Sequence, residues 1–423
     1  MRKNYKKLGS YIQEVNIRNK DLAVDRLLGV SIKKVLMPSI ANTVGTNMSN
    51  YKVVQKGQFA YGPVTSRNGD KISIALLEDY SSAIISQSYK VFEVIDENEL
   101  MPEYLMMWFR RPEFDRYARF RSHGSTRETF DWEEMCEVEL PIPSIEKQQG
   151  IVDEYNTVVN RIKLNEQLNQ KLEEAAQALY KHWFVDFNFP ITEESCPELV
   201  SESPQLIGKP YKSSGGAMEY NEELDKEIPE GWECKRFTDE LLINGGGTPK
   251  TDILEYWNGS IPFFTPKDVM KSYYTLTTEK CLTEIGLLKC SSKLYKEDTI
   301  FITARGTVGA ISLAGKPMAM NQSCYAFIEP NGFQYFGHQL AFRSVFELKE
   351  EAVGAVFKAL VTKDFNHKLI VSPVKEIKGL FNEIVSPLYR QMKTLTAQSL
   401  SLFEIRSLLL SKMTRVDDEL VVK

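Results

Sequence analysis

The sequence predicts an α+β protein: two mixed α/β globular domains separated by a pair of long antiparallel coiled-coil helices, with a pseudo-two-fold internal repeat. Three observations predict it. One order of features occurs twice. Lys56-Gly-Gln-Phe59, Ile85-Ser-Gln-Ser-Tyr89, a helical stretch, Gly124 and Pro141-Ile-Pro143 follow one another in the first half. Lys296-Glu-Asp-Thr-Ile-Phe301, Met320-Asn-Gln-Ser-Cys-Tyr325, a helical stretch, Gly354 and Ser372-Pro373 follow in the second. This period is too long for a solenoid of short repeats. Each globular stretch is then followed by a long helix with apolar residues at 3,4 spacing. Finally, an aromatic and Gly/Pro-rich region from His182 to Glu233 separates the halves.

In chain order, residues 1–143 alternate short apolar runs with Gly, Asn and Asp turns, as strands do. Pro102 opens a helix within this region, Pro being suited to the first helical turn. Residues 144–187 form the central helix. Ser144 is a suitable N-cap, but Lys147 stands where a capping box needs Glu or Gln. Tyr155, Val158, Ile162, Asn165, Asn169, Leu172, Ala176, Leu179 and Trp183 form its seam. Residues 188–228 read as an acidic, flexible surface linker, and residues 229–373 as the second globular domain. The C-terminal helix, 374–414, has its expected seam at Ile384, Leu388, Gln391, Leu395, Gln398, Leu402, Ile405 and Leu409, and residues 415–423 are a tail. A repeat of 3.5 residues held this long is a coiled-coil seam, and polar seam residues that meet fix register and orientation.

Composition narrows the class. Of 423 residues, 43% are hydrophobic and 26% charged, ordinary values for a globular chain with more than one core. No apolar run reaches the roughly 18 residues of a membrane span. Six scattered cysteines without a C-x-x-C pair read as reduced thiols, which places the chain in the cytoplasm. The net charge of −5 is unevenly spread: residues 193–230 hold ten acids against three lysines, and the remainder has 49 basic and 47 acidic residues. That balance permits a local basic surface without requiring one.

Catalytic patterns are missing. Gly208-Lys209 and Gly315-Lys316 are each followed by Pro, so neither is a phosphate loop. No Asn/Asp-Pro-Pro-aromatic tetrad of amino-group methyltransferases occurs, and the four histidines have no metal spacing. Glu347-Leu-Lys349 and Glu376-Ile-Lys378 resemble a nuclease triplet but lack the preceding Pro-Asp. These observations favour a binding protein over an enzyme.

Binding chemistry is present on loops. The stretch from Phe109 to Arg127 holds six arginines, with Arg119, Arg121, Ser122, His123 and Arg127 near a helix end and a short loop. Arginine takes guanine O6 and N7 together or holds phosphates; the alternative is a salt-bridged helix face using Glu113 and Asp115. Arg67 and Asn68 lie in a turn that is either a contact or an ordinary hairpin. In the second half Thr248 and Lys250, Thr265 and Lys267, and Arg305 and Thr307 supply small polar and basic tips. Lys358 stands where Arg127 does in the first half. Gly245-Gly-Gly-Thr248 is either a phosphate cradle or a flexible turn.

The chain resembles the DNA specificity subunit of type I restriction-modification systems. The resemblance rests on Tyr256-Trp-Asn-Gly-Ser-Ile-Pro262 with Thr265-Pro-Lys-Asp268, on Gln322-Ser323, and on Pro141-Ile-Pro143 leading to Glu146-Lys-Gln-Gln149. Leu179-Tyr-Lys-His-Trp-Phe-Val-Asp-Phe187 and Gly208-Lys-Pro-Tyr-Lys-Ser-Ser-Gly-Gly216 add to it, so that it spans nearly the whole chain. It implies two target recognition domains, each reading a few base pairs of a bipartite asymmetric site in double-stranded DNA. It also implies no catalysis and no cofactor in this chain. Two modification subunits would carry S-adenosylmethionine for adenine N6 methylation, and restriction subunits would supply ATP- and magnesium-dependent cleavage. The first half lacks the Gly-Gly-Thr-Pro and Tyr-Trp-Asn-Gly-Ser features, so contacts cannot be copied between halves. A structural dimerisation scaffold or adaptor without sequence reading is the alternative from another class, and a stand-alone nuclease a third.

Overall fold

A computed structural model describes residues 5–39, 45–66, 68–124, 127–270, 272–351 and 359–415. The chain folds as two compact units, Met1–Arg161 with Leu402–Lys423, and Ile162–Ser401.

The first unit is built on a four-stranded antiparallel sheet in the order Ile12–Val15, Lys90–Val94, Phe59–Tyr61, Ile74–Leu76. Its inner strands carry the core: Phe59 and Phe92 stack at 4.8 Å, and Phe109 meets Phe59 edge-on at 5.7 Å. Helices Pro102–Phe109 and Pro112–Arg121 both begin on the proline, where a missing N–H costs nothing. Tyr5–Lys7 pairs with Glu139–Pro141, and the Leu8 amide donates to Val138 O at 2.8 Å.

The second unit repeats this order. Its five-stranded sheet runs Leu242–Gly245, Cys324–Ile328, Ile300–Thr303, Ile311–Ala314, Tyr274–Thr275. The first four strands correspond one for one to those of the first unit. Glu233–Arg236 pairs with Leu369–Ser372, and the Phe237 amide donates to Lys368 O at 2.8 Å, matching Leu8 and Val138. The duplication therefore extends to single hydrogen bonds. The units differ in what they add. The first adds the pairs Leu28–Val30 with Leu36–Pro38 and Lys52–Gln55 with Ser82–Ile85. The second adds a three-stranded sheet centred on Trp257–Phe264, which is where the Tyr256–Pro262 motif lies. The motif is missing from the first half because its sheet is.

The central helix is Ile145–Phe184 and the C-terminal helix Lys375–Lys412. Within the second unit Asn165 Nδ2 donates to Ser399 Oγ at 3.3 Å and Asn169 Nδ2 to Thr396 Oγ1 at 3.5 Å, so the two helices run antiparallel. The central seam lies where the spacing places it, with Tyr155, Ile162, Asn165, Asn169, Ala176 and Trp183 buried. The C-terminal seam does so only in part. Leu395 is buried and Leu388, Leu402 and Leu409 are half-buried, but Ile384, Gln391, Gln398 and Ile405 are exposed, and the buried line is Ile377, Phe381, Val385, Tyr389, Met392, Leu395, Thr396 and Ser399. The face was misplaced because two of its members are hydroxyl residues, while apolar side chains sit outside it. The asparagines consequently meet hydroxyls and not glutamines.

Each globular core is completed by the far end of the other half's helix. In the first unit Leu410 and Met413 are buried with Val152 and Tyr155. In the second Tyr180 and Trp183 pack on Phe381, with ring centroids at 5.9 and 5.8 Å. The 188–228 segment also requires correction. Phe187, Phe189, Ile191, Val200, Tyr211 and Ile228 are buried in the second unit's core, and Met218–Asn221 pairs with Lys226–Pro229 as a hairpin. Phe189 stacks between Tyr211 and Trp232 at 4.6 and 4.9 Å. Its nine acidic residues face solvent, so its composition looked like a linker while its sparse aromatics build a core.

Candidate nucleic-acid interface

In the first unit, the loop after strand Phe59–Tyr61 and the loop after helix Pro112–Arg121 are stitched together. Thr65 N donates to Glu128 O at 3.0 Å, Phe130 N to Pro63 O at 2.8 Å, and Thr65 Oγ1 to Ser122 Oγ at 2.9 Å. His123 and Thr129 exchange backbone bonds of 3.0 and 2.8 Å. Gly124, at φ +132°, lets the chain turn there; a Cβ would lie 2.2 Å from Arg127 O.

This cluster holds most of the first-half candidates, in different states. Asn68 closes its own turn by donating to Val64 O at 3.2 Å, and Ser122 Oγ donates to Ala118 O at 2.7 Å. Arg119 pairs with Glu128, and Arg121 with Glu134, whose hydrogen bond raises the guanidinium pKa further. His123 Nε2 is 3.4 Å from Glu134. Arg127 is exposed and forms no ion pair with a described residue. Arg67 lies outside the described residues.

The second unit gathers its candidates around one turn, Met320–Ser323. Gly247 N donates to Met320 O at 3.0 Å, Asn321 N to Phe264 O at 3.0 Å, and Ala304 N to Ser323 O at 2.8 Å. These three bonds bring together the loops that carry Thr248 and Lys250, Thr265 and Lys267, and Arg305 and Thr307. Gly246 and Gly247 make a close-packed segment and not a flexible turn: a Cβ on either would lie 2.1 Å from Asn321 O or Ser291 Oγ respectively. Thr265 caps its short turn against Asp268, accepting from Lys267 N at 3.4 Å and donating to Asp268 at 2.6 Å. Thr307 O accepts from Thr303 Oγ1, which fixes the Arg305 loop. Lys250, Lys267 and Arg305 are exposed and have no ion pair with a described residue. Lys358 lies outside the described residues.

The sequence marks Gln322 as part of the repeat and of the family resemblance, but not as a site residue. It is exposed at the tip of the central turn, and Thr248 Oγ1 donates to its Oε1.

The described residues contain no cluster of His, Cys, Asp and Glu able to hold a metal, and no helix long and apolar enough to cross a membrane. All six cysteines are free thiols. Two copies of one sheet thus each carry stitched polar and cationic loops and share two long helices. The chain belongs to the type I restriction modification DNA specificity domain family, whose model matches residues 34–174 and 229–402. It is 26% identical over 420 residues to the type I restriction enzyme HindI specificity subunit of Haemophilus influenzae, covering 90% of each chain. It is 28% identical over 331 residues to the MjaIX specificity subunit of Methanocaldococcus jannaschii, covering 76% of this chain and 70% of that one. The fold is that of the type I S subunit from M. genitalium, with a TM-score of 0.55 at 13% identity, covering 97% and 95% of the two chains.

Proposed function

We propose that this chain is the sequence-reading subunit of a type I restriction-modification complex, in which each unit reads one half of a bipartite, asymmetric DNA site. The observation that carries this reading is the matched pair of stitched loop clusters. Each lies at the same end of a duplicated sheet, and their small polar and cationic tips suit base edges and phosphates. The paired helices hold two modification subunits, which bind S-adenosylmethionine and flip one adenine in each half-site for N6 methylation. Restriction subunits add ATP- and magnesium-dependent cleavage. The chain itself contributes recognition and assembly and no chemistry.

Two measurements test this. The complex with modification subunits should retain one bipartite sequence in a salt-dependent manner, because counterions leave when phosphates are neutralised. Retention of DNA without sequence preference would favour the scaffold reading. The isolated chain, given S-adenosylmethionine or magnesium and ATP, should show no turnover; methyl transfer or cleavage by it alone would refute the non-catalytic assignment.

A further inference from the structure

We infer that Gln322 is a base-reading residue of the second half-site and that it reads an adenine edge, with Thr248 as its positioning residue; this rests on the DNA-reading function proposed above. Three features set Gln322 apart from the other tips. Its backbone is locked in a turn. Asn321 Oδ1 accepts from Ser323 N at 3.0 Å and Asn321 O from Cys324 N at 3.2 Å, which makes a side-chain-locked β-turn with Gln322 at its second position. The turn is bonded to the three loops that carry Thr248, Thr265 and Arg305, so Gln322 lies among them. Its amide is oriented in advance, because Thr248 Oγ1 occupies one lone pair of Oε1.

The remaining capacity of that amide defines the ligand. Oε1 keeps one lone pair, and the two Nε2 hydrogens have no partner among the described residues. One acceptor beside one donor is the complement of adenine N6–H and N7 in the major groove. A lysine or arginine at this position would instead favour guanine or a phosphate. The neighbouring Lys250, Lys267 and Arg305 supply that cationic chemistry, so the neutral amide is free to discriminate.

The first unit repeats the device. Ser86 Oγ accepts from Ser88 N at 3.5 Å and Ser86 O from Tyr89 N at 3.1 Å, which leaves Gln87 exposed at the second position of the matching turn. The strands that follow these two turns, Lys90–Val94 and Cys324–Ile328, hold the same place in the two sheets. A glutamine kept at one position of a duplicated turn, in halves whose other loops differ, fits a reading role better than a role in folding.

The test uses the assembled complex with its modification subunits, S-adenosylmethionine and DNA carrying randomised half-sites, with methylated positions read by sequencing. The wild-type second half-site should contain an unmethylated adenine that Gln322→Ala makes degenerate, its preference falling about tenfold or more, while the first half-site keeps its sequence. Gln322→Glu, which can only accept, should move that position toward cytosine. Thr248→Val should relax the same position and Thr248→Ser restore it. Gln87→Ala should leave the second half-site intact. The inference is overturned if the second half-site holds no unmethylated adenine, or if Gln322→Ala changes no position or weakens both half-sites equally. It is also overturned if both Gln322 variants assemble normally yet methylate nothing. A wild-type complex that methylates without any shared sequence would instead overturn the proposed function.

Discussion

Six arginines lie between Phe109 and Arg127, and the fold uses them differently. Arg110 lies 3.9 Å from Glu78, Arg111 is buried over the Trp108 ring, and Arg116 pairs with Glu113 at 3.2 Å. Arg119 and Arg121 are held by Glu128 and Glu134. Arg127 alone has no such partner among the described residues, so the salt-bridged-face alternative describes most of the stretch but not this side chain. Arg127→Ala should weaken specific binding by about 1–3 kcal/mol and relax only the first half-site. Equal losses at both half-sites would mark it as a phosphate anchor. Glu173 poses a separate question at this scale. Desolvation pushes its carboxyl up to about 7, only partly offset by the Tyr273 backbone, and its Oε1 is buried without a hydrogen bond. A carboxyl whose folded pKa is raised stabilises the fold below its unfolded pKa and loses that contribution as pH rises through the folded one. The second unit should therefore lose stability on the order of 2–3 kcal/mol between about pH 4.5 and pH 7 from this group. Glu173→Gln should raise the melting temperature at pH 8 and leave it unchanged at pH 4; an equal gain at both would exclude titration as the cause.

At the scale of elements, legibility followed the kind of signal. The central helix was readable because its buried face is apolar or amide at nearly every 3,4 step. The C-terminal helix was readable as a helix but only partly in its facing: Leu395 is buried as its spacing implies, but Thr396 and Ser399 enter the interface while Ile384 and Ile405 face out. The 188–228 segment was misread because few aromatics at irregular spacing carry its packing, a tertiary fact without periodicity. The loop clusters were legible as polar and basic tips, but the bonds that join them are long-range and left no local mark. Gln322 was passed over for that reason. Long-range packing also governs the helix ends. Leu410 and Met413 occupy in the first core the place that Tyr180 and Trp183 occupy in the second. Leu410→Ala or Met413→Ala should each destabilise the first unit by about 2–5 kcal/mol. A fragment of residues 1–190 lacks both side chains but carries Tyr180 and Trp183, which a second copy can supply. It should therefore form a symmetric dimer that recognises a palindrome. Sedimentation of a folded monomer would refute this.

For the whole molecule, the duplication was the most legible feature, because it is written in motif order and does not depend on any one contact. The unequal additions to the two sheets explain why the halves share a plan but not their motifs, which fits the proposed reading of two unlike half-sites. On the proposed reading, the helices set the spacing between the two half-sites. With 40 and 38 residues they measure about 60 and 57 Å at 1.5 Å per residue. Half-sites read from one face of the duplex should centre about one turn, roughly 34–36 Å, apart. With about three to five base pairs read in each, the unread gap should be about five to eight. Asn165 meets Ser399 and Asn169 meets Thr396, so matched insertions belong within these two steps, after Glu166 and after Ala397. Four residues added at both places lengthen the pair by about 6 Å, close to two base pairs at 3.4 Å each. Methylation mapping should then show both half-site sequences unchanged and the gap longer by one or two base pairs. Altered half-site bases with an unchanged gap would mean that spacing is set by the globular units and not by the helices.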